Sequence, residues 1–109
     1  MGTSGNEDAR AIAIDNLDAI YISGFTSGDF VGINLGQNDI IAAKFDHIGN
    51  LIWQRQIGTA AADIGYAMGT YSNGVFIAGA AGGALDGASY SGGDYDVFLI
   101  KYDLDGSLQ

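Results

Sequence analysis

The acidic turn DLDG (103–106) is a place where residue types and spacing could do chemistry. Asp103 and Asp105 are spaced like the first two ligands of a calcium loop. An EF-hand loop would carry glycine at its sixth position and glutamate at its twelfth, whereas glycine comes at the fourth position here. The competing interpretation is a type I′ Asp-Gly hairpin turn with Asp105 and Gly106 at positive φ. The turn is favoured, and Asp103 and Asp105 are kept as weak calcium candidates.

The sequence contains few residues of the types that catalysis uses. His47 is the only histidine and there is no cysteine, so the sequence lacks the set of imidazoles and thiolates that zinc takes. It also lacks a G-x-S-x-G elbow, a P-loop and a G-x-G-x-x-G motif. Carboxylates are plentiful and could pair for acid–base chemistry, but on a turn-rich acidic chain most are expected to be solvated. We therefore expect no catalytic residues, no cofactor and a function that is not enzymatic.

The balance of acidic and basic residues excludes some classes of binding partner. Thirteen acidic residues against four basic ones give a formal net charge of −9. The four basic residues are scattered, so nucleic acid and anionic membrane surfaces would be repelled. No apolar run approaches the roughly 20 residues of a membrane helix, and the start MGTSGNEDAR predicts no signal peptide. Cations, neutral sugars and basic protein surfaces remain open as partners.

The elements that must position these residues are predicted to be strands. Seven short runs rich in Ile, Val, Phe and Tyr are bounded by Gly, Asn, Asp and Ser, which is typical of an all-β chain. The 18 glycines and the absence of proline suit many tight turns, and Asn73-Gly74 is the strongest hairpin signal. The predicted strands cover 9–15, 19–26, 39–46, 51–57, 64–71, 75–82 and 96–103.

The sequence repeats itself. NDIIAAKFDHIGNLIWQ (38–54) returns as YDVFLIKYDLDGSLQ (95–109) at an offset of 57 residues, with Lys44 matching Lys101. Ile48 stands where Asp105 stands, which weakens the calcium interpretation. A β repeat of this length predicts propeller blades, which must stack on their neighbours, and a sandwich or another barrel is the alternative. The expected repeats are 1–57, with four strands, and 58–109, with three strands and a stub that lacks the tryptophan strand.

The repeat resembles the bacterial SBBP type of β-propeller repeat. The first resembling stretch carries Asp8, Ile12, Ala13, Ile14, Asp15, Tyr21, Ile22, Gly24 and Thr26, and the second carries Asp39, Lys44, Asp46, Gly49 and Trp53. The second copy departs from the pattern, with Thr70 in the place of Asp15 and Ala80 in the place of Phe25. The resemblance implies a propeller that serves as a scaffold or binding platform on bacterial surface or secreted proteins, without catalytic residues.

Two residues of the repeat have competing roles. We expect Lys44 to cover apolar surface with its stem while its amine meets a carboxylate such as Asp39. The alternative is a lysine that contacts a ligand. We expect Trp53 to pack between blades, and an exposed tryptophan that stacks on sugar rings is the alternative.

Strand alternation assigns the loops to two faces. The short turns DNLD, SNG, HIGN and LDGS should share one face, and the long glycine-rich loops 27–38 and 83–95 should share the other with 58–63. Binding residues concentrate on loops held by a rigid scaffold, although these loops could also be solvated connectors. The candidate ligand-binding residues are Asp29, Asn34, Asp86, Ser89, Tyr90 and Asp94.

Two functions follow as hypotheses. The first is a binding scaffold for glycan or protein, extracellular or on the cell surface by resemblance. The second is a purely structural, self-assembling protein. Because propellers need about 4–8 blades, we expect the chain to associate with itself. A trimer or tetramer is favoured, and a filament is the alternative.

Overall fold

The computed structural model describes residues 5–28, 38–58, 63–82 and 96–109, with the side chains of 64–66 and 96 left aside. These residues are all-β and contain no helix. The strands are β1 (Glu7–Ile14), β2 (Ile20–Thr26), β3 (Asp39–Phe45), β4 (Leu51–Ile57), β5 (Asp63–Tyr71), β6 (Gly74–Ala81) and β7 (Asp96–Asp103). All seven predicted strands are present, so the all-β prediction is confirmed.

The strands form two antiparallel meanders. The first sheet has the order β1-β2-β3-β4 and the second sheet has the order β5-β6-β7. Within each sheet, every strand pairs with the next strand along the chain. The two paired strands are connected either by a short turn or by one of the long loops. The central strand β3, DIIAAKF, is buried from Asp39 to Lys44, on both of its faces. A strand buried on both faces has the continuous apolar sequence seen here rather than an alternating one.

The strand registers show that the second sheet repeats the first. In β1 the register shifts between Ala9 and Ala11, and in β5 it shifts between Gly65 and Ala67, at the corresponding place. A β-bulge adds one residue to a strand and increases its local twist, so both sheets are deformed alike. Equivalent positions are 56 residues apart in β1 and β5, 55 in β2 and β6, and 57 in β3 and β7.

The register corrects one sequence alignment. Ile14 pairs with Ile20, and Thr70 pairs with Val75, so Thr70 is the equivalent of Ile14 and not of Asp15. The turn between β5 and β6 is shorter than the turn between β1 and β2, because Tyr71 pairs directly with Gly74. The hairpin expected at Asn73-Gly74 is present, but its turn residues are Ser72 and Asn73, and Gly74 belongs to β6.

The two sheets pack face to face around one core. The inner face of the first sheet carries Tyr21, Ile40, Ala42, Lys44 and Trp53. The inner face of the second sheet carries Val75, Ile77, Phe98, Ile100 and Tyr102, with Met68 partly buried against them. Strand β5 lies across β1, β2 and β3. The exposed faces on the other sides of the sheets are called the outer faces below.

Three of the short turns share one design. Asp15, Asp46 and Asp103 each accept two main-chain N–H bonds through Oδ1, at 2.8–3.0 Å, from the residues two and four positions later. The residue three positions later has positive φ: Asp18 at 64°, Gly49 at 94° and Gly106 at 82°. The type I′ prediction for DLDG is therefore wrong, because Asp105 does not have positive φ and the aspartate side chain forms the turn instead.

These hydrogen bonds lower the pKa values of Asp15 and Asp46. Burial raises the pKa of Asp15, but hydrogen bonds from the Ala19 N–H, the Tyr21 hydroxyl and the Leu17 N–H outweigh it and leave the pKa below its usual 3.8. Bonds from the main chain and side chain of Asn50 lower the pKa of Asp46. A lowered pKa in the folded state means that the ionised carboxylate interacts more favourably with the folded protein than the protonated group does. Ionisation of such a group therefore stabilises the fold.

We expect this linkage to make the fold acid-sensitive. The contribution of Asp15 to the free energy of unfolding should be complete well above pH 3.8 and should be lost as the pH falls through the lower folded-state pKa. Asp15→Asn keeps an acceptor but cannot ionise. The unfolding free energy of this variant should therefore depend less on pH between about 2 and 5, the range in which carboxyl groups titrate. Urea unfolding at a series of pH values measures the slope.

The exposed turn residue Asn16 provides the control, because Asn16→Ala should keep the full acid sensitivity. An Asp15→Asn protein with an unchanged pH slope would contradict the assignment.

Candidate functional site

Three side chains of the first sheet hold the main chain of a turn in the second sheet. Lys44, Trp53 and Arg55, called the docking cluster below, lie on neighbouring strands β3 and β4. Lys44 is directly opposite Trp53, and Arg55 is two residues further along β4, so all three project from the inner face. The turn that they contact follows β7 and spans 103–106.

The docking cluster donates four hydrogen bonds to this turn. Lys44 Nζ and Trp53 Nε1 both donate to the main-chain oxygen of Leu104, at 3.0 and 3.1 Å. Arg55 Nε donates to the oxygen of Gly106 at 2.8 Å, and its Nη2 donates to the oxygen of Asp105 at 3.5 Å. Three of these four bonds have a positively charged donor group, and hydrogen bonds to charged groups are stronger than neutral ones. The turn is thereby fixed on the first sheet.

Aromatic rings support the two cations. The Lys44 amine lies 5.4 Å from the centre of the Tyr21 ring, and the Arg55 guanidinium lies 5.3 Å from the Trp53 ring. A cation over a ring face gains about 0.5–1 kcal/mol at exposed sites and more when water is excluded. Because Lys44 is only 9% exposed, its charge is held by the carbonyl and the ring rather than by water.

The expected contact between the Lys44 amine and Asp39 is wrong. Asp39 lies five residues before Lys44 in the same strand, so the two side chains project from opposite faces of the sheet. The Asp39 carboxylate instead accepts a hydrogen bond from Gln56 Nε2 at 2.9 Å. The expectation that the stem of Lys44 is buried holds, but its amine contacts a carbonyl of the next repeat.

Trp53 packs between the two sheets, as expected. Its ring is 6% exposed and lies 6.1 Å from the Tyr21 ring and 5.6 Å from the Tyr102 ring. The interplanar angles are 61° and 46°, arrangements that aromatic pairs favour over a face-to-face sandwich. The alternative in which Trp53 stacks on a sugar ring is wrong, because both faces of the indole are covered.

The buried tyrosines of the core are poor acids. Burial, and then the hydrogen bond to Asp15 Oδ2 and the charge of that carboxylate, raise the pKa of Tyr21. Burial raises the pKa of Tyr102, with a smaller opposing effect from Arg55. Both phenols stay protonated near neutral pH, so they act as packing groups and as a donor rather than as bases.

The other end of the sheets is held together by buried polar groups. Asp39 and Asp63 are both fully buried. Gln56 Nε2 donates to Asp39 and to the oxygen of Gly28, while the Asp63 N–H donates to the oxygen of Asn38 at 2.7 Å. These bonds join the strand ends from which the long loops leave.

The short turns lie at one end of the sheets, and described residues that flank the long loops lie at the other end. The Thr70 hydroxyl donates to the oxygen of Ile14, which places the β1–β2 and β5–β6 turns at the same end. The strand ends at Gly28, Asn38 and Asp63 lie together at the opposite end. The candidate ligand-binding residues lie outside the described residues: Asp29, Asn34, Asp86, Ser89, Tyr90 and Asp94.

The calcium candidates have a structural role in the described turn. Asp103 Oδ1 accepts the N–H groups of Asp105 and Ser107, and the side chain of Asp105 is exposed. Within the described ranges, no three His, Asp or Glu side chains are grouped to hold a metal ion. Calcium binding stays a prediction. The described residues also include no helix that is long and apolar enough to cross a membrane.

Comparison with known proteins does not assign the chain to a family. No protein-family model matches the chain, and no curated protein matches it significantly. The likeness to SBBP repeats therefore rests on the residues quoted above.

Sequence reasoning did not single out two members of this site. Arg55 lies two residues after Trp53 in β4, so strand alternation places both side chains on one face of the sheet. This alternation is the feature of the sequence that could have identified Arg55 as a member of the site. Gly106 was recognised as a turn glycine only. A Cβ atom added to Gly106 would lie 2.7–2.9 Å from Arg55 Nη2 and the Trp53 ring, so the close approach of the docking cluster also requires glycine.

The two turn glycines provide a matched pair of substitutions. Gly49 and Gly106 both have positive φ, but a Cβ atom on Gly49 would meet nothing within 4 Å. Gly49→Ala should cost about 1 kcal/mol of unfolding free energy for the backbone conformation alone. Gly106→Ala should cost about 1–3 kcal/mol more, because the methyl group displaces Arg55 and Trp53.

Urea unfolding of both variants measures the difference. Equal losses of unfolding free energy would show that the turn at 103–106 is not seated on the docking cluster.

Proposed function

We propose that this chain is a non-catalytic repeat scaffold whose sheets stack on one another in the manner of propeller blades. The docking cluster carries this proposal, because three side chains of one repeat are used to hold the main chain of the other. A hydrogen-bonded contact of this kind fixes the relative position of two sheets, whereas apolar packing alone is non-directional.

The direction of stacking supports blades over a sandwich. The first sheet buries the face that carries Ile40 and Ala42, but the second sheet buries the opposite set of positions, with Phe98 and Ile100. In the second sheet the equivalents of Ile40 and Ala42 are Val97 and Leu99, and both are exposed. The sheets therefore stack head to tail rather than face to equivalent face. A repeat stack has this polarity, and each unit contacts only its neighbours.

The absence of catalytic machinery is part of the proposal. Among the described residues, the buried hydroxyl and carboxyl groups are used in turns and in sheet packing, and His47 is exposed in a turn. The resemblance to SBBP repeats supports a place at the bacterial surface or outside the cell.

Glycan or protein binding is the second candidate function. The hydrogen bonds of Gln56 and Asp63 favour it, because they hold the roots of the long loops on a rigid end of the scaffold. The binding residues would be Asp29, Asn34, Asp86, Ser89, Tyr90 and Asp94.

The stacking function predicts that the two sheets unfold as one unit. Trp53→Phe removes the hydrogen bond to Leu104 and should cost about 1–2 kcal/mol of unfolding free energy. Urea unfolding followed by far-ultraviolet circular dichroism should still show a single transition at a lower midpoint. Gln54→Ala provides a control on the opposite face of the same strand and should change the midpoint little. Two separate transitions in the unmodified protein would refute the scaffold proposal.

The binding candidate has its own test. Asp29→Ala, Tyr90→Ala and Asp94→Ala combined should abolish binding to any glycan that an array screen identifies. Ser72→Ala with Asn73→Ala, at the opposite end, should leave that binding unchanged. The reverse result would place the binding face at the short turns.

A further inference from the structure

Both sheets have an apolar outer face. Antiparallel sheets with one solvated face normally carry polar side chains there. On the first sheet, the outer positions of β1 are instead Ile12 and Ile14, which are 67% and 59% exposed. On the second sheet, the outer positions of β7 are Val97 and Leu99, which are 90% and 68% exposed. Contiguous exposed apolar surface of this kind marks an interaction site.

The outer face of the second sheet is equivalent to a face that is already buried. By strand register, Val97, Leu99 and Lys101 are the equivalents of Ile40, Ala42 and Lys44. Ile40 and Ala42 are 1% and 2% exposed, because the second sheet covers them. The outer face of the second sheet thus has the chemistry of a receiving surface without the sheet that would cover it.

The outer face of the first sheet is equivalent to the face that does the covering. Ile12 corresponds to Met68, which is partly buried in the core between the sheets. Ile22 corresponds to Ile77, which is fully buried. Strand β5 lies against strands β1, β2 and β3 of the first sheet, and its equivalent β1 is the strand whose outer isoleucines are exposed.

We propose that a second copy of this chain occupies these faces, with the outer face of its first sheet on the outer face of the second sheet of its neighbour. This inference rests on the proposed stacking function and names its partner. The internal contact between the sheets provides the template, and repeating the same step between chains pairs the two exposed faces. The interface is heterologous, since each copy uses two different surfaces.

The template also assigns a polar contact. Lys44 Nζ donates to the oxygen of Leu104, and the equivalents of these residues are Lys101 and His47. Lys101 already lies 5.6 Å from the Phe76 ring, as Lys44 lies 5.4 Å from the Tyr21 ring. In the assembly, Lys101 Nζ of one copy donates to the main-chain oxygen of His47 in the next copy.

The shape of the covering face agrees with this arrangement. A depression of about 350 Å³ lies on the outer face of the first sheet, at the β-bulge, and is lined by Ala9, Arg10, Ala11, Ile12 and Ile22. It gives the side chains of a neighbouring sheet room to interdigitate. The charge of −9 on each copy opposes association at long range, so added salt should strengthen the contact by screening it.

Complementation between two variants distinguishes a heterologous interface from nonspecific adhesion and from a symmetric dimer. Leu99→Glu disables the receiving face only, and Ile12→Lys disables the covering face only. Each variant alone should sediment as a monomer, while the unmodified chain forms rings or filaments. A mixture of the two variants should form a one-to-one dimer, because each retains the face that the other lacks.

Additional variants check the details. Leu17→Lys changes an equally exposed residue in a turn and should leave the assembly intact. Lys101→Met should weaken the assembly by about tenfold, the effect of losing one charged hydrogen bond at an interface. Near-ultraviolet circular dichroism of Trp53 should be unchanged in every variant, which shows that the contact within each chain survives.

The outcomes separate the two proposals. An unmodified chain that stays monomeric at micromolar concentration with an intact Trp53 signal overturns the self-association and leaves the scaffold proposal standing. Variants that cannot complement each other, or that assemble alone, also overturn it. Separate unfolding of the two sheets would instead overturn the scaffold proposal.

Discussion

The structure depends on sheets that are apolar on both faces. In the first sheet, Ile40 and Ala42 face the core, while Ile12 and Ile14 project from the other face and are exposed. No pairing of only two such sheets can cover all of their apolar surfaces, since two sheets share one contact and leave two outer faces. Burial of apolar area contributes about 25 cal/mol per Å², so the uncovered faces are a persistent driving force for further packing.

Apolar packing does not by itself choose which face meets which, and the docking cluster makes that choice here. Lys44, Trp53 and Arg55 offer donors at fixed positions, and the turn after β7 presents the carbonyl oxygens of Leu104 and Gly106 to them. Sliding the sheets by one residue would leave buried donors unpaired, at a cost of about 1–3 kcal/mol each. The hydrogen bonds thus select one register among several that the apolar faces would tolerate.

Much of this architecture follows from the sequence, because short strands bounded by Gly, Asn and Asp leave little choice of fold class. The repeat was visible in the matching lysines and turns, and the packing of Trp53 between the sheets was expected because repeats of this kind must stack on their neighbours. The partner of Lys44 was not predictable, since a lysine amine can donate to a carboxylate or to a main-chain carbonyl and only the tertiary contact decides which one it reaches. The predicted type of the turn at 103–106 was wrong for a related reason. The side chain of Asp103 competes with the Asp-Gly backbone preference and wins by accepting two N–H groups.

The same turn occurs twice with different surroundings, and the comparison shows what stacking adds. The turns at Asp46 and Asp103 have the same hydrogen bonds and a glycine with positive φ at the same place. Gly106 is buried against Trp53, while Gly49 is exposed. The local geometry is therefore complete before any contact is made, and docking requires no rearrangement of the turn. A preformed turn loses little conformational entropy when it docks, so most of the contact energy is available to hold the stack together.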